Sequence, residues 1–318
     1  FFPFNIKQAI CLPVPLPSDL SSVANHLTSL GFNETMANSL TKEDYINLSE
    51  NLNSEANVEM LNPLSNDLKV MRQSLLFSGL ESVAYNINRK NNALKLYEFG
   101  KTYHKYNEKY QEDKHLTLFV TGNRTKDSWK TASQNSDFFY VKGILTALFE
   151  RLGISNFKTS PVKSDVFAEG ITLSLGKIKL VDVGVVKRTL LKEFGIKQEV
   201  LFADIQWDNV LKLCGNKKIK VSDLPRFPAV KRDLALLLDN DKTFKEIYNL
   251  AFQSEKSLLK EVDLFDVYEG DKLPEGKKSY AVSFVLQDEN KTLEDKQIDK
   301  IMQKLQATFE KNLEAVLR

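Results

Sequence analysis

Tyr268, at the end of the string DVYEG, is the residue in this chain best placed by type and context to do chemistry with a ligand. An exposed aromatic ring stacks on an unpaired base, and a sheet face of small residues lets that base come close. Ser279, Ala281 and Ser283 alternate with Tyr280, Val282, Phe284 and Leu286, so the small set is expected on the face turned away from any covering helix. Around them stand Arg226, Lys231, Arg232, Lys277 and Lys278, cations able to hold phosphates. The chemistry implied is recognition of single-stranded RNA rather than catalysis. Other reactive residues read as structural. His104 and His115 flank a charged hairpin and are expected in solvent. Glu98 in LYEFGK has no nucleophile or metal near it and reads as half of an ion pair. Trp129 reads as a loop anchor, and NEKYQEDK (107–114) as a solvated turn. Cys11 and Cys214 lie far apart, and with only three histidines beside them, His26 being the third, no metal-ligand spacing arises.

The elements that must position Tyr268 form one βαββαβ unit. A strand over 227–238 is followed by a helix whose Phe244, Ile247, Tyr248, Ala251 and Phe252 share a stripe. Strands over 262–270 and 279–286, a helix through Ile298, Ile301, Met302, Leu305 and Phe309, and a short strand near 315–317 complete a ferredoxin-like split βαβ order.

Upstream, short strands are expected near 34–39, 94–103, 116–122, 171–175, 179–186 and 200–205, interleaved with helices near 75–88 and 138–152. Ser18 is the expected N-cap, and Gly31 the C-cap, of a helix with Leu20, Val23, Ala24 and Leu27 on one face. Short turns between the strands imply an antiparallel sheet. The chain should therefore divide into a proline-rich linker (1–15) from an upstream module, an α+β domain (16–220) and the ferredoxin-like domain (225–318), the last two separated by CGNKKIKVSDLP. Two cores are within reach of 318 residues, 42% of them hydrophobic. A net charge of +2 excludes a bulk polycation, so any RNA contact must come from local clusters. No apolar run is long enough to span a membrane. The start FFPFN lacks a signal-peptide pattern, and a cytoplasmic protein that begins inside a longer chain is expected.

The strings FPAVKRDLALLL, DVYEG, LPEGKKS, LQDENKTL and the terminal AVLR resemble, in order and spacing, the ferredoxin-fold anticodon-binding domain of bacterial phenylalanyl-tRNA synthetase β subunits. The resemblance extends to VEMLNPLSNDLKVMRQSLLFSGLESVAYN, LKLYEFGKTY, Trp129 with DFFYVKG, and GITLSLGKIKLVDVGVV. It weakens between Lys158 and Lys192, where the family's His-Pro strings are missing. The family implies an antiparallel class II synthetase-like sheet with flanking helices, followed by the anticodon-binding domain. It also implies that the aromatic at Tyr268 stacks on the first anticodon base, with the positions of Ala235 and Ser279 lining the pocket around it.

Adenylate formation builds charge on phosphates that positioned arginines and a metal must meet. The class places one such arginine in an Arg-x-Glu strand and another at a Gly-rich helix start, and neither string occurs here. This portion is therefore expected to be non-catalytic and to bind no cofactor. The resemblance assigns ATP and Mg2+ to the α subunit of a heterotetramer of two α and two β chains, whose partner is phenylalanine tRNA. Interface candidates for α are the helix at Leu20–Leu30 and the loop carrying Asn66, Asp67 and Arg72, within an apolar surface over 16–80. The rival reading is a regulatory or scaffold protein with a ferredoxin-like ligand-binding domain. Such domains need a Gly-rich loop, and none lies between Asp239 and Phe244.

Overall fold

The computed structural model describes residues 20–63, 65–125, 128–214, 225–270 and 273–317. The chain divides into two compact units, Phe1–Ile219 and Lys220–Arg318. Segment 1–15, the expected cap Ser18 and most of the stretch 214–225 lie outside the described residues.

In chain order the first unit runs α1 (Leu20–Ser29), β1 (Asn33–Glu34), β2 (Leu40–Thr41), β3 (Val70–Met71), α2 (Leu76–Ile87), β4 (Leu94–Tyr106), β5 (Lys109–Thr121), α3 (Phe138–Arg151), β6 (Lys158–Pro161), β7 (Phe167–Leu175), β8 (Ile178–Val186), α4 (Arg188–Glu193), β9 (Val200–Gln206) and α5 (Trp207–Cys214). Its sheet has the order β1-β4-β5-β9-β8-β7-β6 and is antiparallel except where β1 lies beside β4. Helices cover both faces. Val23 and Leu27 of α1, Val141, Leu145, Leu148 and Phe149 of α3 and Trp207 of α5 bury one face. Leu76, Leu80 and Val83 of α2 and Leu190 and Leu191 of α4 bury the other, over Leu96, Phe119 and Phe202. This double cover explains why residues 115–121 are buried without a break instead of alternating. Asp137 starts α3 by accepting the Tyr140 N–H at 2.7 Å. Gly79 lets the Phe119 ring lie against α2, where a Cβ would stand 2.0 Å from ring carbon Cζ.

Several expectations for this unit need correction. The strand over 34–39 ends at Glu34, because the Ala37 N–H leaves the ladder for the Glu98 carboxylate at 3.3 Å. The run 107–114 is mostly strand. Only Asn107 and Glu108, with φ of 47° and 63°, make the hairpin connection, and Lys109 already pairs with Tyr106. His115 is buried, and Trp129 is 96% exposed rather than packed as a loop anchor. The short elements α4, α5 and β6 were not anticipated; β6 is an edge strand, where Pro161 costs no ladder bond.

The second unit comprises β10 (Val230–Asp239), α6 (Phe244–Ser254), β11 (Leu259–Tyr268), β12 (Lys277–Leu286), α7 (Asp295–Leu313) and β13 (Val316–Leu317). The strand order β11-β12-β10-β13, antiparallel throughout, is that of a ferredoxin-like sheet. Ile247, Ala251, Ile298, Leu305 and Phe309 from the two helices bury Leu236, Leu238, Val262, Val282, Phe284 and Leu286 on one face. A capping box of Thr243 and Glu246 starts α6, and Glu314 in the left-handed region ends α7. Among the described residues, no helix of this unit covers the other sheet face.

Candidate nucleic-acid interface

Tyr268 reaches the open face because β11 is bulged. Val262 packs in the core opposite Phe284, and strict alternation from it would turn Tyr268 inward. Instead Leu264 pairs with Val282 and Asp266 with Ala281, which leaves Phe265 as an extra residue. Val267 then falls opposite the core residue Tyr280, and Tyr268 opposite Ser279. Ser279 in turn faces Leu237, and Leu237 faces Val316. One row, Tyr268–Ser279–Leu237–Val316, thus crosses the whole sheet. The next row is Asp266–Ala281–Ala235, and beyond it lies Asp263–Ser283–Asp233.

The Tyr268 ring, 37% exposed, rests over Gly270, where a Cβ would come within 2.9 Å of its hydroxyl. The glycine of DVYEG therefore sets the ring's position. Ser279 is only 7% exposed and forms the floor beside the ring, one row from the partly buried Ala235.

The five candidate cations do not gather on this face. Neighbouring residues on a strand point to opposite sides, so each Lys-Lys or Lys-Arg pair is split. Lys231 is exposed on the open side, its Nζ 5.6 Å from the Phe265 ring centroid. Arg232 turns to the helix side, with its guanidinium 3.6 Å from Asp295 at the start of α7. Lys277 meets Asp239 at 2.7 Å. Lys278 is buried on the helix side, donating to the Asn240 carbonyl at 2.9 Å. Arg226 is exposed ahead of β10.

Sequence reasoning missed Phe265, 53% exposed, and the carboxylates Asp233, Asp263 and Asp266 on the same face. The signal was present. A core Val262 and an outward Tyr268 an even number of residues apart require one extra residue between them. A carboxylate can accept from a base amino group and repels phosphate, so the chemistry of this face is better matched to base edges than to a phosphate backbone.

In the first unit, the candidates Glu98 and Arg72 pair with each other. Nη1 of Arg72 lies 2.7 Å from Glu98 Oε1, and both side chains are almost wholly buried. Glu98 is thus a structural ion pair, as its sequence context implied. Arg72 is withdrawn from any surface, while Asp67 stays exposed, 3.9 Å from Lys42.

Compared with family models, residues 18–207 match the phenylalanyl tRNA synthetase beta chain CLM domain, and residues 225–318 match the ferredoxin-fold anticodon binding domain. A synthetase-type sheet unit followed by an anticodon-binding unit defines the chain as a component of an aminoacyl-tRNA synthetase. The phenylalanine–tRNA ligase beta subunit of Bacteroides thetaiotaomicron is 48% identical over 308 residues, covering 93% of this chain and 38% of that protein. That of Porphyromonas gingivalis is 42% identical with the same coverage. A solved pyrrolysyl-tRNA synthetase from Desulfitobacterium hafniense aligns at a TM-score of 0.49 and 14% identity, over 65% of this chain and 73% of that one. The chain belongs to the phenylalanyl-tRNA synthetase beta-chain family. It spans about 38% of the length of these curated relatives.

Proposed function

We propose that this chain serves a phenylalanine–tRNA ligase as the part of its β subunit that docks the α subunit and reads the anticodon of phenylalanine tRNA, without forming the adenylate itself. The observation that carries the reading is the row in which Tyr268, held over Gly270, stands beside Ser279 on a helix-free sheet face. An anticodon base stacks on the Tyr268 ring, Ala235 and Ser279 shape the space around it, and Asp266 accepts from an amino group of a neighbouring base. Lys231 and Arg226 are the cations left to meet phosphate.

The absence of phosphate-binding arginines from β4 supports a non-catalytic first unit, with ATP and Mg2+ handled by α. The stripe of α1 cannot serve as the docking surface, since Val23 and Leu27 are spent in the core. Within the described part of 16–80, Met36, Met60 and Leu61 are the large apolar side chains left exposed besides Leu20, and they form the better candidate surface for α in a two-α, two-β assembly.

The test is binding of a phenylalanine-tRNA anticodon stem-loop to the 318-residue chain. Losing a stacked base costs about 1–3 kcal/mol, so Tyr268→Ala is expected to weaken binding about five- to 150-fold with the circular dichroism spectrum unchanged. Equal affinity for wild type and Tyr268→Ala would refute the reading. Leu61→Asp with Met36→Asp should abolish co-elution with α in size-exclusion chromatography while leaving RNA binding intact.

A further inference from the structure

One row of the first unit's sheet is polar. Glu98, Thr117, Asp204, Asp182 and Thr172 stand side by side on β4, β5, β9, β8 and β7. Asp182 and Asp204 lie directly opposite one another, and like charges in that position repel. Asp182 has both oxygens engaged, by Lys179 Nζ at 2.8 Å and by the Thr172 hydroxyl at 2.6 Å. Asp204 has one oxygen engaged, Oδ1, 2.6 Å from His115 Nδ1. Burial pulls the pKa of His115 down, yet the charge and hydrogen bond of Asp204 more than offset this and leave it raised. Among the described residues nothing bonds to Oδ2 of Asp204.

Asp204, Asp182 and Lys179 line a cleft of about 230 Å³. Leu52, Phe77 and Phe202 supply an apolar side, and Lys163, exposed and without an ion pair among the described residues, stands at the cleft with Ser164. The space is smaller than the roughly 300–1,000 Å³ of drug-sized sites. Its lining carries both signs of charge. A simple anion would face two carboxylates, and a simple cation would leave Lys163 unmatched. No three His, Cys, Asp or Glu side chains gather as a metal site among the described residues.

We propose that this cleft binds a free α-amino acid with an apolar side chain. The ammonium group meets Oδ2 of Asp204 with Asp182 beside it, the carboxylate turns toward Lys163, and the side chain lies on Leu52, Phe77 and Phe202. The site is independent of the anticodon reading and is tested without RNA or α, so failure of one leaves the other standing.

The experiment is calorimetric titration of the 318-residue chain with L-phenylalanine, L-leucine, 3-phenylpropionate and phenylethylamine, alongside an NMR titration of the His115 ring. At least one of the two amino acids is expected to bind saturably at a single site in the millimolar range or tighter. Lacking the ammonium, 3-phenylpropionate should bind at least about tenfold more weakly, the scale of a charge-assisted hydrogen bond. Phenylethylamine should lose only the contribution that Lys163→Ala also removes. Asp204→Asn should abolish binding. Bound ammonium shares the Asp204 charge, so the ligand should lower the pKa of His115. No saturable binding of either amino acid, equal affinity for 3-phenylpropionate, or full affinity in a folded Asp204→Asn protein overturns the proposal. If Asp204→Asn does not fold, the ligand series and Lys163→Ala decide it alone.

Discussion

Replacing Arg72 by methionine probes how the first unit holds its sheet, because that guanidinium is the counter-charge to a buried carboxylate. Arg72 is 4% exposed and Glu98 1%. Nε of Arg72 also donates to the Lys101 carbonyl at 3.1 Å, and the group fits only because Gly100 lacks a Cβ, which would stand 2.4 Å from Nη2. Among the described residues, Oε2 of Glu98 has no hydrogen-bond partner. Burial pushes the Glu98 pKa up, and Arg72 pulls it part of the way back. In Arg72→Met that pull is gone. An ionised Glu98 would then cost about 3–5 kcal/mol as an uncompensated buried charge. Keeping it protonated costs about 1.4 kcal/mol for each unit by which solution pH exceeds the ordinary glutamate value of about 4.3 that it has in the unfolded chain, and the protein takes the cheaper route. A raised carboxyl pKa contributes stability that is fully present below the unfolded value and is lost as pH rises through the folded one. The variant should therefore lose about 1–2 kcal/mol near pH 5 and about 3–5 kcal/mol near pH 8. Arg72→Met with Glu98→Leu removes both charges and should cost only about 1–2 kcal/mol, from the hydrogen bonds lost at Lys101 and Ala37. Urea unfolding followed by tryptophan fluorescence measures this in the first unit alone, since Trp129 and Trp207 both lie there. A loss independent of pH, or strict additivity in the double variant, would show that the pair is not coupled as argued.

Gly79→Ala places a methyl group inside the Phe119 ring and should cost about 1–3 kcal/mol by overpacking, read in the same urea experiment; no loss would mean that the ring can retreat. Lys231→Ala should flatten the salt dependence of stem-loop binding by about 0.7 in the log–log slope, as expected for one single-strand phosphate contact, whereas Lys278→Ala should leave the slope unchanged because its ammonium is buried on the helix side. Equal slopes for Lys231→Ala and wild type would remove Lys231 from the interface. The chain without α should show no phenylalanine-dependent ATP–pyrophosphate exchange, and measurable exchange would overturn the non-catalytic reading.

The ferredoxin-like unit was legible because each strand has one wet face, so period two survives in the sequence. What escaped was the bulge at Phe265, which breaks that period, and with it the acidic members of the open face. The split of Lys277 from Lys278 and of Lys231 from Arg232 follows from the same alternation and could have been read beforehand. In the first unit both sheet faces are covered, so the pattern blurs. The polar stretch 109–114 looked like a turn because its side chains are almost all exposed, while His115, the first buried residue of β5, pairs with Asp204 of β9, which no local pattern reveals. Short elements such as α4 carry too few turns to show a stripe.

The two sheets treat polar groups in opposite ways, and the difference bears on what each can bind. Where both faces are covered, a charged side chain must find its partner inside the protein, and the row from Glu98 to Thr172 does so except at Glu98 Oε2 and Asp204 Oδ2. Where one face is open, Asp233, Asp263 and Asp266 keep their charges in water at little cost. Those carboxylates work against any polyanion that approaches face-on. RNA can dock there only if its bases point at the sheet, its backbone stays at the rim near Lys231 and Arg226, and the stacking on Tyr268 exceeds the repulsion. A duplex cannot meet these conditions, because its bases are turned inward and its phosphates outward. An unpaired loop can, so on the proposed reading the placement of acids beside an aromatic ring would favour single strands before any base is read.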